Sequence, residues 1–188
     1  MVARKRGRPT EEERVRRRDD ILDAAVRLFL SGGFRQVTLD NVVAEAHVTK
    51  RTIYGYFGDR TEMFLAAVER LRLRALVGLA GDGTLEDLAT TIVFALHSDE
   101  AVGLHRMLVA EAHAFPGLAE GFYRDGPQAY IDALATRLPA GDLASSLFTL
   151  LLGEPHRQRL LGLRAAPSRA EAAEHAAKAL RIVLTKTT

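Results

Sequence analysis

The chain has 188 residues, 47% of them hydrophobic, which suffices for one or two small domains with a real core and excludes disorder throughout. Without cysteine it forms no disulfide, carries no thiol nucleophile and builds no cysteine zinc site. The net charge of +2 hides an asymmetry: residues 1–60 hold 13 basic and 9 acidic side chains, whereas residues 61–188 hold 13 and 15.

Basic residues crowd the first 18 positions, where Arg4, Lys5, Arg6, Arg8, Arg14, Arg16, Arg17 and Arg18 meet only Glu11, Glu12 and Glu13. Such an end on a mildly acidic body suits a polyanionic partner, and it equally suits a solvated tail. No apolar run reaches the roughly 18 residues of a membrane span, and no apolar stretch of the signal-peptide kind follows the basic start. A cytoplasmic, unexported protein with no membrane partner is expected.

Helical punctuation then recurs in chain order. Thr10 and Glu13 form a capping box for a first helix with the stripe Ile21, Leu22, Ala25, Leu28 and Phe29, and Gly32-Gly33 supplies its stop. Thr38 caps a short helix with Leu39, Val42, Val43 and Ala46, and Thr49 caps another with Ile53 and Phe57. Two such helices, too short to stand alone and separated by about three residues, have the form of a helix-turn-helix. Asp59 and Glu62 open a longer helix carrying Phe64, Leu65, Val68 and Leu71. Beyond the break at Leu79-Ala80-Gly81-Asp82-Gly83, about five more helices start near Thr84, Ser98, Pro116, Asp142 and Ser168. Interruptions are expected at Gly126-Pro127 and Pro155. No alternating strand pattern is visible, so the fold is expected to be all-α.

The second short helix begins Thr49-Lys50-Arg51-Thr52, which places two long cationic donors and two hydroxyls where such a helix enters a major groove. Tyr54 and Tyr56 add phenolic donors one turn later, although both also fit as boundary aromatics. Helix N-termini near Thr38 and Asp59 offer free N–H groups to phosphates.

The stretches Ala25-Val26-Arg27-Leu28-Phe29, Gly33-Phe34, Val37-Thr38, Val42-Val43-Ala44-Glu45-Ala46, Val48-Thr49-Lys50 and Thr52-Ile53-Tyr54-Gly55-Tyr56-Phe57 run in order. In these motifs the chain resembles the TetR family of transcriptional regulators, over about residues 15–70. The resemblance implies a basic arm over 1–18, a three-helix helix-turn-helix DNA-binding domain over 19–64, and a helical effector-binding and dimerisation domain over 65–188. It further implies that Lys50, Arg51 and Tyr54 face the groove, while Thr38, Thr52, Tyr56 and Arg60 hold phosphates. Arg60 has an alternative in pairing with Asp59 or Glu62.

Two positions depart from the family pattern. His47 stands in the turn where glycine is common, so a positive φ there would fall on a histidine. Gly55 sits inside the recognition helix, at a cost of about 1 kcal/mol against alanine. Ahead of the domain, Arg6-Gly7-Arg8-Pro9 has the form of an AT-hook core, which lays Arg6 and Arg8 along a narrow minor groove, or else is a flexible leader.

The C-terminal part offers no catalytic constellation, no phosphate loop and no metal pair, since His97, His105 and His113 fall eight apart. A regulator with no cofactor, rather than an enzyme, is expected. Phe94, His97, His105, Met107, Phe115, Phe122, Tyr123 and Tyr130 have the mix expected of an apolar effector pocket, and equally of ordinary core with surface histidines. Leu143, Leu147, Leu150, Leu151, Leu152 and the alanine-rich last helix offer two apolar stripes for a homodimer, or for the interior of the domain. The resulting expectation is a homodimeric repressor released from a palindromic operator by a small-molecule effector. An architectural DNA-binding protein without effector, or a helical small-molecule-binding protein, are the alternatives.

Overall fold

The computed structural model describes residues 10–79 and 82–185, and all its regular structure is helical. Arg6 and Arg8 lie outside the described residues. The chain divides into two compact units, with the division falling after Val68.

In the first unit, local side chains start each helix. Thr10 Oγ1 accepts from Glu13 N at 3.2 Å and Glu13 accepts from Thr10 N at 2.8 Å, so α1 (Glu11–Gln36) opens on the reciprocal cap its sequence encodes. It bends at Gly33, whose φ of +69° glycine adopts without a Cβ penalty. Thr38 and Asn41 cap α2 (Leu39–Ala46), and Thr49 caps α3 (Lys50–Phe57). At the start of α4 (Arg60–Ala75), Asp59 accepts from Glu62 N at 2.8 Å. Helices of eight residues are unstable alone. Tertiary burial holds these two, through Val42 on α2 and Ile53 and Phe57 on α3. Ile21, Leu22, Ala25 and Phe29 of α1 complete that core with Met63 and Phe64. Phe64 meets Phe29 edge-on at 5.1 Å and Phe34 at 4.8 Å.

The second unit contains α5 (Leu85–Leu96), α6 (Asp99–Glu111), α7 (Pro116–Asp125), α8 (Pro127–Ala135), a 3-10 turn (Gly141–Leu143), α9 (Ala144–Leu160) and α10 (Arg169–Leu184). Thr84, Ser98 and Ser168 cap α5, α6 and α10, and Pro116 occupies the first turn of α7. Gly126-Pro127 separates α7 from α8 as expected. Asp142 does not cap α9: it lies inside the 3-10 turn, and Leu143 ahead of the helix is already helical and provides no side-chain cap. The alanine face of α10 is likewise not a free stripe. Ala172, Ala176 and Ala179 are buried against the rest of the unit, where their small size lets α10 lie along α5. Leu147 and Leu151 of α9 belong to the same core.

α9 breaks at Gly153 (φ +53°, ψ −159°), two residues before Pro155. Proline has no N–H to give Leu151 O, so that carbonyl needs another donor. His97 Nε2 lies 3.2 Å from it, and His175 Nε2 lies 3.0 Å from it and 3.1 Å from Leu150 O. A carbonyl takes only a donor, so these contacts require both rings to carry their proton on Nε2. Arginines close the far end of α9: Arg106 donates to Leu160 O at 2.8 Å and Arg159 O at 2.6 Å, and buried Arg159 donates to His97 O at 2.9 Å.

Candidate nucleic-acid interface and ligand cavity

In the first unit the turn between α2 and α3 is made by His47, at φ +51° and ψ +49°, so the positive φ does fall on the histidine. Its N–H bonds to Val43 O and ends α2, which lets Thr49 begin α3 two residues later. With Ile53 and Phe57 buried, the exposed side of α3 presents Lys50, Arg51, Tyr54 and Gly55. Lys50 Nζ lies 2.9 Å from Asp40 on α2, and that carboxylate raises the lysine pKa by hydrogen bonding and by charge. The ammonium is thus fully charged at neutral pH and held over the start of α3. Tyr54 is 51% exposed, enough to place its hydroxyl in solvent.

Thr49, Thr52 and Tyr56 lie on a second flank of α3 and line an open groove with Arg16 and Arg17 of α1 and with His47. Thr49 and Thr52 share a hydroxyl contact of 2.9 Å. Glu13 and Asp20 border the same groove. Arg16 and Arg17 were visible only as part of a basic run; which of its members face α3 depends on how α1 packs. Arg18 lies outside the groove lining but also reaches α3, its guanidinium 5.1 Å from the Phe57 ring.

Arg60 departs from its expected role. Nη1 donates to Phe34 O at 3.0 Å and Val37 O at 2.9 Å, and the guanidinium lies 4.1 Å from the Phe34 ring centroid. The bend after Gly33 exposes linker carbonyls that need a donor, and Arg60 supplies it, so it clamps the link between α1 and α2 rather than facing outward as a phosphate ligand.

The second unit encloses a cavity of about 330 Å³. Of the aromatic and histidine candidates, His105, Phe122, Tyr123 and Tyr130 line it. Phe94, His97, Met107 and Phe115 do not. Phe94 is 41% exposed beneath the Arg169 guanidinium, His97 seals the α9 break, Met107 is buried off the cavity, and Phe115 precedes α7. The lining instead gains Arg72, Leu76, Leu104, Leu108, Phe148 and His156. Tyr130 stacks on Phe148 with ring centroids 5.9 Å apart and donates its hydroxyl to Ala75 O. Burial raises its pKa, so the phenol stays protonated.

Histidines form a row from the cavity wall inward. His105 and His156 rings lie 5.3 Å apart, His156 and His97 5.3 Å, and His97 and His175 5.9 Å. Burial, reinforced by neighbouring imidazoles and by Arg159, lowers His97 and His156 to about 4, and burial alone lowers His105. Those three are therefore neutral at physiological pH. Among the described residues, no group of three or more His, Asp or Glu side chains is placed to hold a metal ion.

Residues 21–67 match the model for bacterial regulatory proteins of the tetR family, and residues 83–186 match that for the C-terminal domain of AefR-like transcriptional repressors. The chain belongs to the tetR family. Among curated relatives, the HTH-type transcriptional regulator SrpR of Pseudomonas putida is 27% identical over 121 residues, covering 62% of this chain and 55% of SrpR. The repressor BepR of Brucella suis is 37% identical over 65 residues, covering 35% of this chain and 31% of BepR. The chain thus spans about half of SrpR and a third of BepR. Two solved structures share the fold. A TetR regulator from Agrobacterium tumefaciens has a TM-score of 0.70 at 24% identity, covering 90% of this chain and 93% of its own. The flavonoid-responsive regulator FrrA has a TM-score of 0.69 at 24% identity, covering 92% and 97%. These tetR-family relatives are transcriptional regulators, not enzymes. Among the described residues, no helix is long and apolar enough to cross a membrane.

Proposed function

We propose that the protein is a homodimeric DNA-binding transcriptional regulator acting in the cytoplasm as a repressor, released from a palindromic operator by a small-molecule effector. The observation that carries this reading is the exposed N-terminal turn of α3, where Lys50 and Arg51 stand beside Tyr54 on a helix whose other side is core. In one major groove per subunit, Lys50, Arg51 and Tyr54 read bases. Thr38, Thr49, Thr52 and Tyr56 hold phosphates, and Arg6 and Arg8 enter the adjoining minor groove. Two-fold symmetry matches half-sites about 34–36 Å apart, and an effector in the cavity of the second unit favours a conformer out of that register. Such coupling amounts to about 1–3 kcal/mol.

The test is binding of the purified protein to the DNA flanking its own gene, against random DNA at the same salt. Lys50→Ala with Arg51→Ala is expected to weaken specific binding by about 1–3 kcal/mol for each base-reading side chain removed, roughly 5- to 150-fold. Equal affinity for both DNAs would favour an architectural protein, and an unaffected double variant would remove α3 as the reading helix.

A further inference from the structure

The cavity of the second unit is selective by virtue of its lining. Among the described residues, no carboxylate and a single arginine line it. That arginine, Arg72, is already committed: Nε donates to Glu69 at 2.7 Å, Nη2 donates to the other oxygen of the same carboxylate, and Nη1 donates to Asp125 O at 2.7 Å. A cation entering the cavity would lose its hydration with no counter-charge to meet, and an anion would find only a guanidinium paired elsewhere. Moving an uncompensated charge out of water costs several kcal/mol.

Two polar handles remain. His105 on α6 and His156 on α9 face each other at 5.3 Å and 35° between ring planes, and among the described residues neither ring hydrogen-bonds to protein. A neutral imidazole carries one donor and one lone pair. Phe122, Tyr123, Tyr130 and Phe148 supply aromatic surface around the pair.

Taking the cavity as the effector site of the proposed regulator, we propose that it binds an uncharged, largely flat aromatic molecule whose single oxygen, a phenol hydroxyl or a carbonyl, is held between His105 and His156. A hydroxyl donates to the lone pair of one ring and accepts from the N–H of the other, and a carbonyl uses the donor alone. His156 also touches His97, which caps the broken helix α9, so the group that holds the ligand oxygen is packed against the structural break in the unit.

N-phenyl-1-naphthylamine, an uncharged dye that brightens in apolar surroundings, serves as the probe on the full-length protein near neutral pH. Competitors of equal shape are 2-naphthol, 2-naphthoate, 2-naphthylmethylammonium and naphthalene. Dye binding is expected, with 2-naphthol displacing it at least about tenfold more tightly than either charged analogue, equivalent to about 1.4 kcal/mol. The advantage of 2-naphthol over naphthalene is expected to shrink in His105→Leu and in His156→Leu, with dye binding retained as the control for folding. Should His156→Leu not fold, the more accessible His105→Leu carries the test. The proposal is overturned if the wild-type protein does not bind the dye, if a charged analogue competes as well as 2-naphthol, or if the preference for 2-naphthol survives both substitutions. A distinct result, the expected selectivity with DNA affinity unchanged by 2-naphthol, would leave the ligand class standing and remove the effector reading.

Discussion

Lowering the pH is expected to destabilise the second unit well before its carboxylates titrate. His97 and His156 are pushed from 6.5 to about 4, chiefly by burial, then by neighbouring imidazoles and by Arg159. Because the unfolded chain binds protons at these sites between about pH 6.5 and 4 and the folded unit does not, folding is opposed increasingly as the pH falls through that window. Their contribution is complete above pH 6.5. At about 1.36 kcal/mol per pH unit for each histidine, a drop from about pH 7 to 5 removes up to about 2 kcal/mol per ring and about 4 kcal/mol for the two. The rings are 2% and 6% exposed, so little solvent screening reduces this, although their mutual contact makes the sum an upper figure. Such a loss is large beside the net stability of a typical domain, about 5–15 kcal/mol. Asp87, Asp125 and Glu171 have lowered pKa values through hydrogen bonds with Thr84, Arg124 and Ser168, so their contribution is lost only at lower pH, below the ordinary carboxylate range. Urea unfolding followed by helical circular dichroism across the histidine window reads the effect, and His156→Leu should reduce the pH slope by about half. A stability that stays flat from about pH 7 to 5 would refute the reasoning.

Substitutions at three positions probe other parts of the molecule. Gly55→Ala places a Cβ where nothing lies within 4 Å, so it should stabilise α3 by about 1 kcal/mol and raise the Tm of the first unit by about 4–8 °C. An unchanged or lower Tm in calorimetry would mean that the glycine answers another need. Gly153→Ala meets only ordinary contacts from 3.6 Å outward, yet its backbone angles suit glycine alone, so a loss of about 1–3 kcal/mol is expected in chemical denaturation. Arg60→Lys keeps the charge but loses the planar stack on Phe34 and the paired carbonyl hydrogen bonds. Stability should fall by about 1–2 kcal/mol; in Arg60→Met, which removes the charge, the salt dependence of DNA binding should stay unchanged, and a shallower salt slope there would return Arg60 to the phosphate-binding set.

The sequence discloses most where the physics is local. The caps at Thr10, Thr38, Thr49, Thr84 and Ser168 each need partners no more than three residues away, so residue types in order suffice to locate them. The break before Pro155 follows in the same way from a single-residue backbone preference, whereas the positive φ at His47 runs against one and was legible only from the family pattern. The inward clamp of Arg60 was hidden because its acceptors are backbone carbonyls 23 and 26 residues away, and every residue has a carbonyl. Arg72 and His156 carry no pocket signal of their own. They reach the cavity only because α4 and α9 bring distant stretches together, while Phe94 and Phe115 look like pocket residues and lie elsewhere. The alanines of α10 illustrate the remaining ambiguity, because small residues permit close packing on any neighbour, and here the core of their own unit supplies it.

The break in α9 ties backbone repair to ligand chemistry. An unpaired buried carbonyl costs about 1–3 kcal/mol, so a helix interrupted by Gly153 and Pro155 is tolerable only if donors arrive from elsewhere. His97 comes from the end of α5 and His175 from α10, and both converge on Leu151 O. A protonated His97 would still donate there, but its charge would be buried beside His156 and His175. The arrangement therefore favours a neutral His97. The cavity requires the same neutrality of His156, because only an uncharged imidazole offers a lone pair as well as an N–H. The same burial that repairs the backbone of α9 thus sets the chemistry of the cavity wall, and acid that disturbs one must disturb the other.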